Sequence, residues 1–434
     1  MTQQEALDIL KMGQNVFLTG SPGSGKTFLL NQYIDYLQKH QKAVAVTAST
    51  GIAATHMNGV TIHSWSGLGI KETINDQEIR SLMTRKYLSR RIKATKVLII
   101  DEVSMLKASQ FDAIDKICRY FKVSFLPFGG MQVVLSGDFF QLPPIERNGR
   151  EVNFINDSSV WQDMDVKVCY LDEQHRQKDK NLSVLLNHIR DNNVDDSREI
   201  LAGIQMGECD QDAITTKLYT HNIDVDAMND HELSKITENE VAYEMTSSGP
   251  KDIVAALKKS CLSPGHLVLK KGARVMFIKN NFESGYVNGT QGTVVDFDVI
   301  GMPVIETVSG KRISAKRASW TIMNEEGSVV AEINQIPLRL AWAITVHKSQ
   351  GMNLDAAQID LSRCFIEGMG YVALSRLSTL GGLHLLGIND MALYVNEKAL
   401  MMDKEFKQLS SQVAGFLQTL APAKIKKEQE RFLG

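Results

Sequence analysis

The amino-acid sequence predicts an α/β fold in which the strands of a parallel sheet alternate with helices. Four short apolar runs near the start of the chain are typical of buried strands, and they cover residues 15–19, 43–47, 97–100 and 133–135. Between the first two runs, apolar side chains recur at helical spacing: Leu29, Leu30, Tyr33, Ile34 and Leu37. Such sheets bind ligands at the carboxyl ends of their strands, so the loops after these runs are the first places to look for chemistry.

The pattern changes twice further along the chain. A second α/β region starts near Lys167, and from Gly285 to Ile336 glycines separate short β-branched runs, which predicts a small inserted β-barrel. Apolar positions from Phe406 to Leu420 predict a packing helix, which Pro422 ends before a solvated tail. We therefore expect a first domain at 1–165 with an insertion at 65–96, a second domain at 166–284 and 337–434, and the barrel at 285–336.

Composition excludes several classes of protein. The chain of 434 residues is long enough for about three domains, and 43% hydrophobic residues with a formal net charge of −2 exclude a disordered chain. No apolar run approaches the ~18 residues of a membrane-spanning helix, and the N-terminus has no secretory signal, so we expect a cytoplasmic protein. Scattered cysteines predict reduced thiols rather than disulfides or a zinc site: Cys118, Cys169, Cys209, Cys261 and Cys364.

One segment fits a phosphate-binding loop. Gly20-Ser21-Pro22-Gly23-Ser24-Gly25-Lys26-Thr27 matches the pattern G-x-x-x-x-G-K-[ST] between a predicted strand and a predicted helix. Glycines let backbone N–H groups surround phosphate oxygens, and the helix that follows presents its positive end. We expect Lys26 to reach the β- and γ-phosphates and the Thr27 hydroxyl to bind magnesium. The alternative is an ordinary glycine-rich turn.

Two more strand ends carry polar residues that suit the same chemistry. Asp101 and Glu102 directly follow the apolar run 97–100, where Asp101 would hold magnesium and Glu102 would orient or deprotonate an attacking water. Gln141 follows the next run and can hydrogen-bond a γ-phosphate or that water. Its neighbours Phe139 and Phe140 allow two interpretations, contact with bases or packing in the core.

Further motifs follow in a fixed order. They are the runs 46–54, 61–65, 137–144, 171–177, 186–190, 337–351 and 371–376. Together with the phosphate loop they resemble the Pif-type DNA helicases of superfamily one, which are grouped with the RecD-type enzymes. The resemblance implies two RecA-like P-loop motor domains in a bacterial or viral member made of the motor core. Met369 and Asn353 depart from the family pattern, which has Gln and Thr there.

The resemblance also assigns roles in ATP hydrolysis. It implies that Arg176 and Arg376 are arginine fingers from the second domain, and that Gln141 senses the γ-phosphate. Gln4, or its neighbour Gln3, matches the adenine-reading glutamine, and helical spacing favours Gln4. The expected cofactors are ATP and Mg²⁺, with Thr27 and Asp101 as the metal ligands. The expected nucleotide-binding residues are Gln4, Gly20, Pro22, Gly23, Ser24, Gly25, Lys26, Thr27, Phe28 and Gly351.

A second set of residues is expected to bind single-stranded DNA. The resemblance places Thr50, Gly51 and His63 on phosphates of the strand, and it gives the same task to a later loop around Thr345. His63 has a buried structural histidine as its alternative. The complete set is Thr50, Gly51, His63, Phe139, Phe140, His221, Asn222, Thr345, His347, Lys348 and Ser349.

The implied activity is ATP-dependent, 5′-to-3′ movement on single-stranded DNA with unwinding of duplex DNA. ATP would be hydrolysed in a cleft between the two motor domains. The expected partners are single-stranded, duplex or forked DNA and four-stranded guanine structures, bound by a monomer near the nucleoid. The basic run from Thr84 to Lys96 is a candidate strand-separating wedge, with a solvated helix face as the alternative. The competing hypotheses are an ATPase clamp or translocase without unwinding activity and a nucleotide-binding scaffold without catalysis.

Overall fold

Two compact units make up the described part of the protein. The computed structural model describes residues 1–57, 59–69, 71–144, 152–173, 179–204, 216–221, 225–261, 263–281, 283–323 and 328–434. The first unit comprises Met1–Arg176 and Glu397–Gly434, and the second comprises Gln177–Asn396. Each unit has its own parallel sheet. No helix of these described ranges is both long and apolar enough to cross a membrane.

The first unit is built on a six-stranded parallel sheet. Its strands are β1 (Val16–Gly20), β2 (Val44–Ala48), β3 (Val60–Thr61), β4 (Val97–Asp101), β5 (Gln132–Ser136) and β6 (Lys167–Leu171). They are ordered β3-β2-β4-β5-β1-β6, so the ends of β4, β5 and β1 lie side by side. This confirms the four apolar runs as strands and the α/β class of the fold.

Helices cover this sheet. They are α1 (Gln3–Lys11), α2 (Lys26–Lys39), α3 (Gly51–His56), α4 (Ile62–Ser66), α5 (Asp76–Met83), α6 (Lys86–Ala94), α7 (Ala108–Lys122) and α8 (Ser159–Asp163). The predicted apolar face of α2 is buried, from Leu29 to Leu37. Helix α1 begins with a capping box, in which Thr2 and Glu5 bond each other's backbone N–H groups.

The basic insertion forms the helices α5 and α6. Ile79, Leu82, Leu88 and Ile92 bury one face of the pair, whereas the basic residues Arg85, Lys86, Arg90, Lys93 and Lys96 are exposed. Arg91 differs from them, because its guanidinium donates to the carbonyl oxygens of Ser64 and Trp65 on α4. The insertion thus has the solvated basic face that charge patterning predicted, and its function as a wedge stays a prediction.

The second unit contains a parallel sheet and a larger antiparallel region. Its helices are α9 (Lys180–Arg190), α10 (Val194–Ala202), α11 (Val225–Lys235), α12 (Lys251–Ser260) and α13 (Met369–Leu374). Its strands are β7 (Thr216–Tyr219), β8 (Glu240–Glu244), β9 (Thr246–Ser248), β10 (His266–Lys270), β11 (Arg274–Phe277), β12 (Gln291–Phe297), β13 (Pro303–Thr307), β14 (Arg312–Ser314), β15 (Ala318–Met323), β16 (Val329–Gln335), β17 (Leu338–Leu340), β18 (Ala343–Thr345), β19 (Ala357–Leu361) and β20 (Leu383–Ile388). The parallel sheet has the order β18-β7-β19-β20.

The predicted barrel boundary at 285–336 is wrong. Antiparallel strands already begin with β8 at Glu240, and they form three sheets, ordered β10-β8, β14-β13-β12-β11-β17 and β15-β16-β9. The run at 274–278, which we assigned to the α/β domain, pairs antiparallel with β12, with Val275 opposite Gly292. An apolar strand pattern does not reveal which sheet the strand joins, because only distant residues supply its partners.

The boundary at 165 is also wrong, and the second domain ends earlier than predicted: residues 337–396 belong to the second unit, as expected, whereas 397–434 belong to the first. Strand β6 pairs with β1, and Leu417 lies in the same core cluster as Leu10 and Leu18. This leucine belongs to α14 (Glu397–Thr419), which is followed by α15 (Pro422–Leu433) where a solvated tail was predicted. The periodicity of a helix shows that it has an apolar face, but not which sheet that face covers.

Helix α14 is anchored in the first unit by an aromatic cluster. The ring centroid of Phe406 lies 5.1 Å from that of Phe17 and 5.8 Å from that of Phe139. Beside the cluster, the Ser410 hydroxyl accepts a hydrogen bond from the Tyr170 N–H at 2.9 Å, and the Tyr170 hydroxyl donates to Asp403 at 3.0 Å. These contacts make α14 part of the core of the first unit.

We expect Phe406→Ala to lower the free energy of unfolding by about 3–5 kcal/mol, because a buried ring is replaced by a cavity. Chemical denaturation of the purified protein measures this change. Phe416→Ala is the matched control, since Phe416 lies on the same helix with 61% of its surface exposed. We expect the control to change stability by no more than about 0.5 kcal/mol. Equal losses in both variants would contradict this packing.

Candidate nucleotide site and nucleic-acid interface

The phosphate loop lies between the end of β1 and the start of α2. Gly20, Gly23 and Gly25 have φ angles of 143°, 86° and 87°, which non-glycine residues rarely adopt. A Cβ atom on Gly20 would lie 2.6 Å from the carbonyl oxygen of Leu171 and 2.9 Å from Oγ of Ser24. A side chain at Gly20 would therefore clash with the protein itself, and the positive φ angles favour glycine at all three positions.

The groups around this loop suit an anion. Helix α2 starts after Gly25 without a side-chain cap, so its first N–H groups point towards the loop. The ammonium group of Lys26 donates to the carbonyl oxygens of Gly20 at 2.7 Å and Ser21 at 3.1 Å. Within the described residues, the buried hydroxyl of Ser24 has no hydrogen-bond partner. An orphaned hydroxyl, an ammonium group and an open helix end are what a phosphate chain needs, so the residues present fit a nucleotide.

The two residues that follow Lys26 are open to solvent. Thr27 is exposed, so its hydroxyl is accessible to a metal ion, and Phe28 exposes 58% of its surface. Pro22 is buried in the loop. Thr27 therefore suits the predicted magnesium site.

Two acidic residues end β4 on the same edge of the sheet. Burial raises the pKa of Asp101, and the positive charge of Lys26 acts in the opposite direction. The Ser49 N–H donates to the carbonyl oxygen of Asp101 at 3.0 Å, and the Ser49 hydroxyl donates to that of Glu102 at 2.6 Å. Glu102 has a left-handed backbone with φ 53°, and this turns the chain at the strand end.

The loop after β5 leaves the sheet between the acidic strand end and the phosphate loop. Gly137 is tightly enclosed, because a Cβ atom there would lie 3.0 Å from Cγ2 of Val103. The turn closes through a hydrogen bond from the Gln141 N–H to the carbonyl oxygen of Asp138 at 3.0 Å, and Gln141 is 6% exposed. Lys26, Asp101 and Gln141 thus follow three neighbouring strands; the sequence predicted that each follows a strand, and the order of the sheet makes the strands neighbours.

The suggestion that Phe139 and Phe140 contact DNA bases is wrong. They are 4% and 3% exposed, and the Phe139 ring lies 5.0 Å from Phe154 within the aromatic cluster described above. A buried ring has no free face on which a base could stack. The alternative, core packing, is the one that the structure supports.

The structure favours Gln3, the alternative, over Gln4 as the glutamine beside the phosphate loop. The side-chain amide of Gln3 donates to the carbonyl oxygen of Ser24 in the phosphate loop at 3.2 Å. Gln4 is exposed and donates to the Asp8 carboxylate at 3.2 Å. Neighbouring residues of a helix differ by about 100° in direction, and only the packing of α1 decides which of them meets the loop.

The DNA-binding residues predicted in the first unit lie beyond the ends of β2 and β3. The Thr50 hydroxyl accepts a hydrogen bond from the Ala53 N–H at 3.3 Å, at the start of the helix that begins with Gly51. His63 is half-buried on α4, and burial lowers its pKa while a hydrogen bond with Gln110 acts against the change. A neutral His63 remains able to donate one hydrogen bond to a phosphate.

The DNA-binding loop predicted in the second unit follows β18. Thr345 and Ser349 are buried, with 2% and 0% of their surface exposed. The Thr345 hydroxyl accepts a hydrogen bond from the Lys348 N–H at 3.4 Å, and the Ser349 hydroxyl donates to the carbonyl oxygen of Val346 at 2.7 Å. These two side chains are buried in the turn and bond to its backbone. The prediction that they contact DNA directly is therefore wrong. His347 and Lys348 are half-buried, so they are the accessible members of this loop, and burial lowers the pKa of His347.

The remaining predicted residues that the structure describes are His221, Gly351 and Arg376, all in the second unit. His221 is exposed after β7, and Gly351 is exposed with φ 76°. Arg376 is 2% exposed, and it donates from Nε to the carbonyl oxygen of Val372 at 2.9 Å and from its terminal nitrogen to the Ser375 hydroxyl at 2.8 Å. Arg176 and Asn222 lie outside the described residues.

One buried arginine belongs to the motif run 186–190, to which sequence reasoning gave no role, and it bonds to the helix that precedes Arg376. Arg190 on α9 is 5% exposed and donates to the Tyr371 hydroxyl at 2.7 Å. Tyr371 is fully buried on α13, the helix that leads to Arg376. A signal was present, because Arg190 stands four residues after Leu186 on the apolar face of its helix.

Together, the parallel sheet, the phosphate loop and the acidic strand end define a P-loop nucleotide-binding protein. Comparison with known proteins then narrows this class. The family model for the PIF1-like helicases matches residues 3–214, and the model for the 2B domain of DNA helicase Pif1 matches residues 252–297. The chain belongs to the Pif1-like helicase family.

Individual relatives agree with this family. The chain is 42% identical to the ATP-dependent DNA helicase Pif1 of Psychrobacter over 492 aligned residues, which cover 100% of this chain and 75% of the relative. The Bacteroides Pif1 structure in complex with ADP-AlF4 superposes with a TM-score of 0.81 at 30% identity, covering 94% of this chain and 96% of that one. A Bacteroides Pif1 structure with ADP-AlF3 and single-stranded DNA gives 0.64 at 30% identity, with the same coverage. These likenesses confirm the predicted family and the two-motor-domain fold class.

Proposed function

We infer that this chain is an ATP-dependent DNA helicase. The observation that carries this inference is the joining of the phosphate loop and the Asp101–Glu102 strand end in a chain of the Pif1-like family. The relative from Psychrobacter carries that activity in its name, and one Bacteroides structure was solved with single-stranded DNA. Polarity from 5′ to 3′ and the opening of duplex DNA belong to the proposal.

Each residue of the nucleotide site has a proposed task. Lys26 and the N–H groups at the start of α2 bind the phosphate chain of ATP, and Gln3 lies beside the same loop. Glu102 orients or deprotonates the attacking water, and Gln141 contacts that water or the γ-phosphate. Thr27 and Asp101 would hold Mg²⁺, which supplies positive charge to the phosphate oxygens when bound. Arg176 and Arg376 are proposed as arginine fingers, on the strength of the motif match.

Single-stranded DNA is the proposed primary partner. Thr50, Gly51 and His63 in the first unit and His347 and Lys348 in the second remain as candidates to hold its phosphates. Phosphate contacts position a strand without reading its sequence, as a motor requires. Forked DNA and four-stranded guanine structures are proposed as further substrates, and a monomer as the active form.

The deciding test is unwinding of a short duplex that carries either a 5′ or a 3′ single-stranded tail, with ATP and magnesium. We expect the protein to open only the 5′-tailed duplex, and Lys26→Ala to open neither. Opening of the 3′-tailed duplex alone would overturn the polarity. ATP hydrolysis stimulated by single strands without opening of either duplex would favour the alternative, a clamp or translocase.

The buried pair of Arg190 and Tyr371 leads to a separate prediction. We expect Tyr371→Phe to lower ATP turnover more than ATP affinity, because the lost bond holds the helix that precedes Arg376. A hydrogen bond to a charged group contributes about 1.5–3 kcal/mol to stability, so the midpoint of denaturation should fall as well. Turnover and binding of a fluorescent ATP analogue measure the two effects. Tyr394→Phe, at a tyrosine that is 42% exposed, is the matched control. Reduced stability with unchanged turnover would limit the pair to a structural role.

A further inference from the structure

The first turn of α1 is joined to a helix from the other end of the chain. Gln3, whose side-chain amide reaches Ser24 of the phosphate loop, lies between the two residues of the capping box, Thr2 and Glu5. Oε2 of the Glu5 carboxylate accepts from the Thr2 N–H at 2.9 Å and from the Thr2 hydroxyl at 3.1 Å. Oε1 accepts from the side-chain amide of Gln418 on α14 at 3.2 Å. The carboxylate that closes the cap therefore also ties the start of α1 to α14.

The charge of Glu5 suits both of these bonds. The Thr2 N–H lowers the pKa of Glu5, burial acts against this change, and the Gln418 amide lowers the pKa further. Glu5 is therefore ionised at neutral pH. A carboxylate is a stronger acceptor than a neutral group, and its two oxygens can serve two donors at once.

Apolar contacts hold α14 and α15 against the same helix. Leu417, the residue before Gln418, lies in the same core cluster as Leu10 of α1, and Phe432 of α15 packs against that cluster. The Phe432 ring lies directly on Gly13, since a Cβ atom on this glycine would be 2.2 Å from the ring. The two C-terminal helices thus cover α1 from its first turn to the residues after its end.

Polar contacts fix α15 in this place. The side-chain amide of Gln429 donates to the carboxylate of Asp8 on α1 at 3.1 Å. The ammonium group of Lys42 donates to the carbonyl oxygens of Phe432 at 2.5 Å and Leu433 at 3.2 Å. These carbonyl groups lie at the end of α15, where a helix has no N–H groups of its own left to bond them.

The far end of α1 is fixed from the sheet. Gln132, which is buried at the start of β5, donates to the carbonyl oxygens of Leu10 at 3.0 Å and Gln14 at 2.7 Å. Gln418 acts at the opposite end, on the first turn. Because a helix that is held at one end turns about that end, a weaker contact at the first turn displaces Gln3 more than any later residue of α1.

We propose that Gln418 is a positioning residue of the nucleotide site, which sets the place of Gln3 beside the phosphate loop through Glu5 and the first turn of α1. This inference rests on the proposed function. A displaced Gln3 leaves Lys26 and Glu102 in place, because neither of them belongs to α1. We therefore expect Gln418 to affect the binding of ATP rather than the chemical step.

The test is steady-state ATP hydrolysis, with single-stranded DNA present, by variants of this link. Gln418→Glu places a second carboxylate beside Glu5, so we expect KM for ATP to rise about 3- to 10-fold while kcat stays within about twofold. Adding Glu5→Gln to Gln418→Glu should restore KM, because glutamine can also close a capping box and its amide can donate to the new carboxylate. Gln412→Glu, at an exposed residue of the same helix, is the matched control and should change neither constant.

A double-mutant cycle with Gln3→Ala shows whether the effect passes through Gln3. Gln3→Ala alone should raise KM, and adding Gln418→Glu should raise it no further. Restoration by the exchanged pair of Glu5→Gln and Gln418→Glu excludes poor folding as the cause of the single variant's effect. An unchanged KM in Gln418→Glu or in Gln3→Ala, a pair that fails to restore KM, or effects that multiply in the cycle would each overturn the inference while ATP hydrolysis stands. If the unaltered protein hydrolyses no ATP, the proposed function fails with it.

Discussion

Lys26→Ala is expected to lower the rate of ATP hydrolysis by about 100- to 1,000-fold, because one preorganised positive charge is lost from the transferring phosphoryl group. The structure supports this size of effect. The Lys26 ammonium group lies in the phosphate loop, held by two carbonyl oxygens at 2.7 and 3.1 Å, where a phosphate oxygen would be a stronger acceptor. Affinity for ATP should fall as well, since the same charge contributes to binding.

Steady-state phosphate release in the presence of single-stranded DNA measures this effect. Lys39→Ala is the matched control, because Lys39 is an exposed residue at the other end of the same helix. Binding of single-stranded DNA without nucleotide should be unchanged in both variants. ATP turnover of Lys26→Ala within tenfold of the unaltered protein would exclude this lysine from the catalytic site.

Glu102→Gln is expected to lower ATP turnover by about 100- to 10,000-fold while ATP still binds, because the amide keeps the shape of the side chain but cannot accept a proton. Binding of ATP should persist because Lys26 and the glycines of the loop remain. The left-handed backbone at φ 53° is retained, since glutamine and glutamate have the same backbone preferences there.

The measurement pairs equilibrium binding of a fluorescent ATP analogue with single-turnover hydrolysis. Glu199→Gln, at an exposed carboxylate of the second unit, is the control for the loss of one negative charge. If Glu102→Gln weakened nucleotide binding by the same factor as turnover, the carboxylate would act in binding rather than on the attacking water.

The phosphate loop and the strands around it could be predicted because their signals are local. The glycines at 20, 23 and 25 and the lysine at 26 act within one short segment, and the positive φ angles follow from residue type. The apolar residues of the run that ends at Asp101 likewise indicate a buried strand. The carboxyl ends of parallel strands lie on one edge of the sheet, so the fold class by itself predicts that the phosphate loop and Asp101 lie close together.

The aromatic residues show where such prediction ends. Phe139 stands next to Phe140 in a loop between functional residues, and two adjacent phenylalanines suit either a surface that stacks on bases or a hydrophobic core. Its ring packs against Phe17, Phe154 and Phe406, and Phe406 lies on α14, more than 260 positions later in the chain.

The sequence by itself determined the family, the phosphate loop, the acidic strand end and the alternation of strands and helices, because each depends on residue type and short spacing. Only the tertiary structure decided that Gln3 rather than Gln4 meets the loop, that Thr345 and Ser349 are buried in their own turn, and that α14 completes the first unit. The physical reason is the same in each case. The direction of a side chain and the partner of an apolar face are set by packing between distant segments, and periodicity alone does not specify that partner.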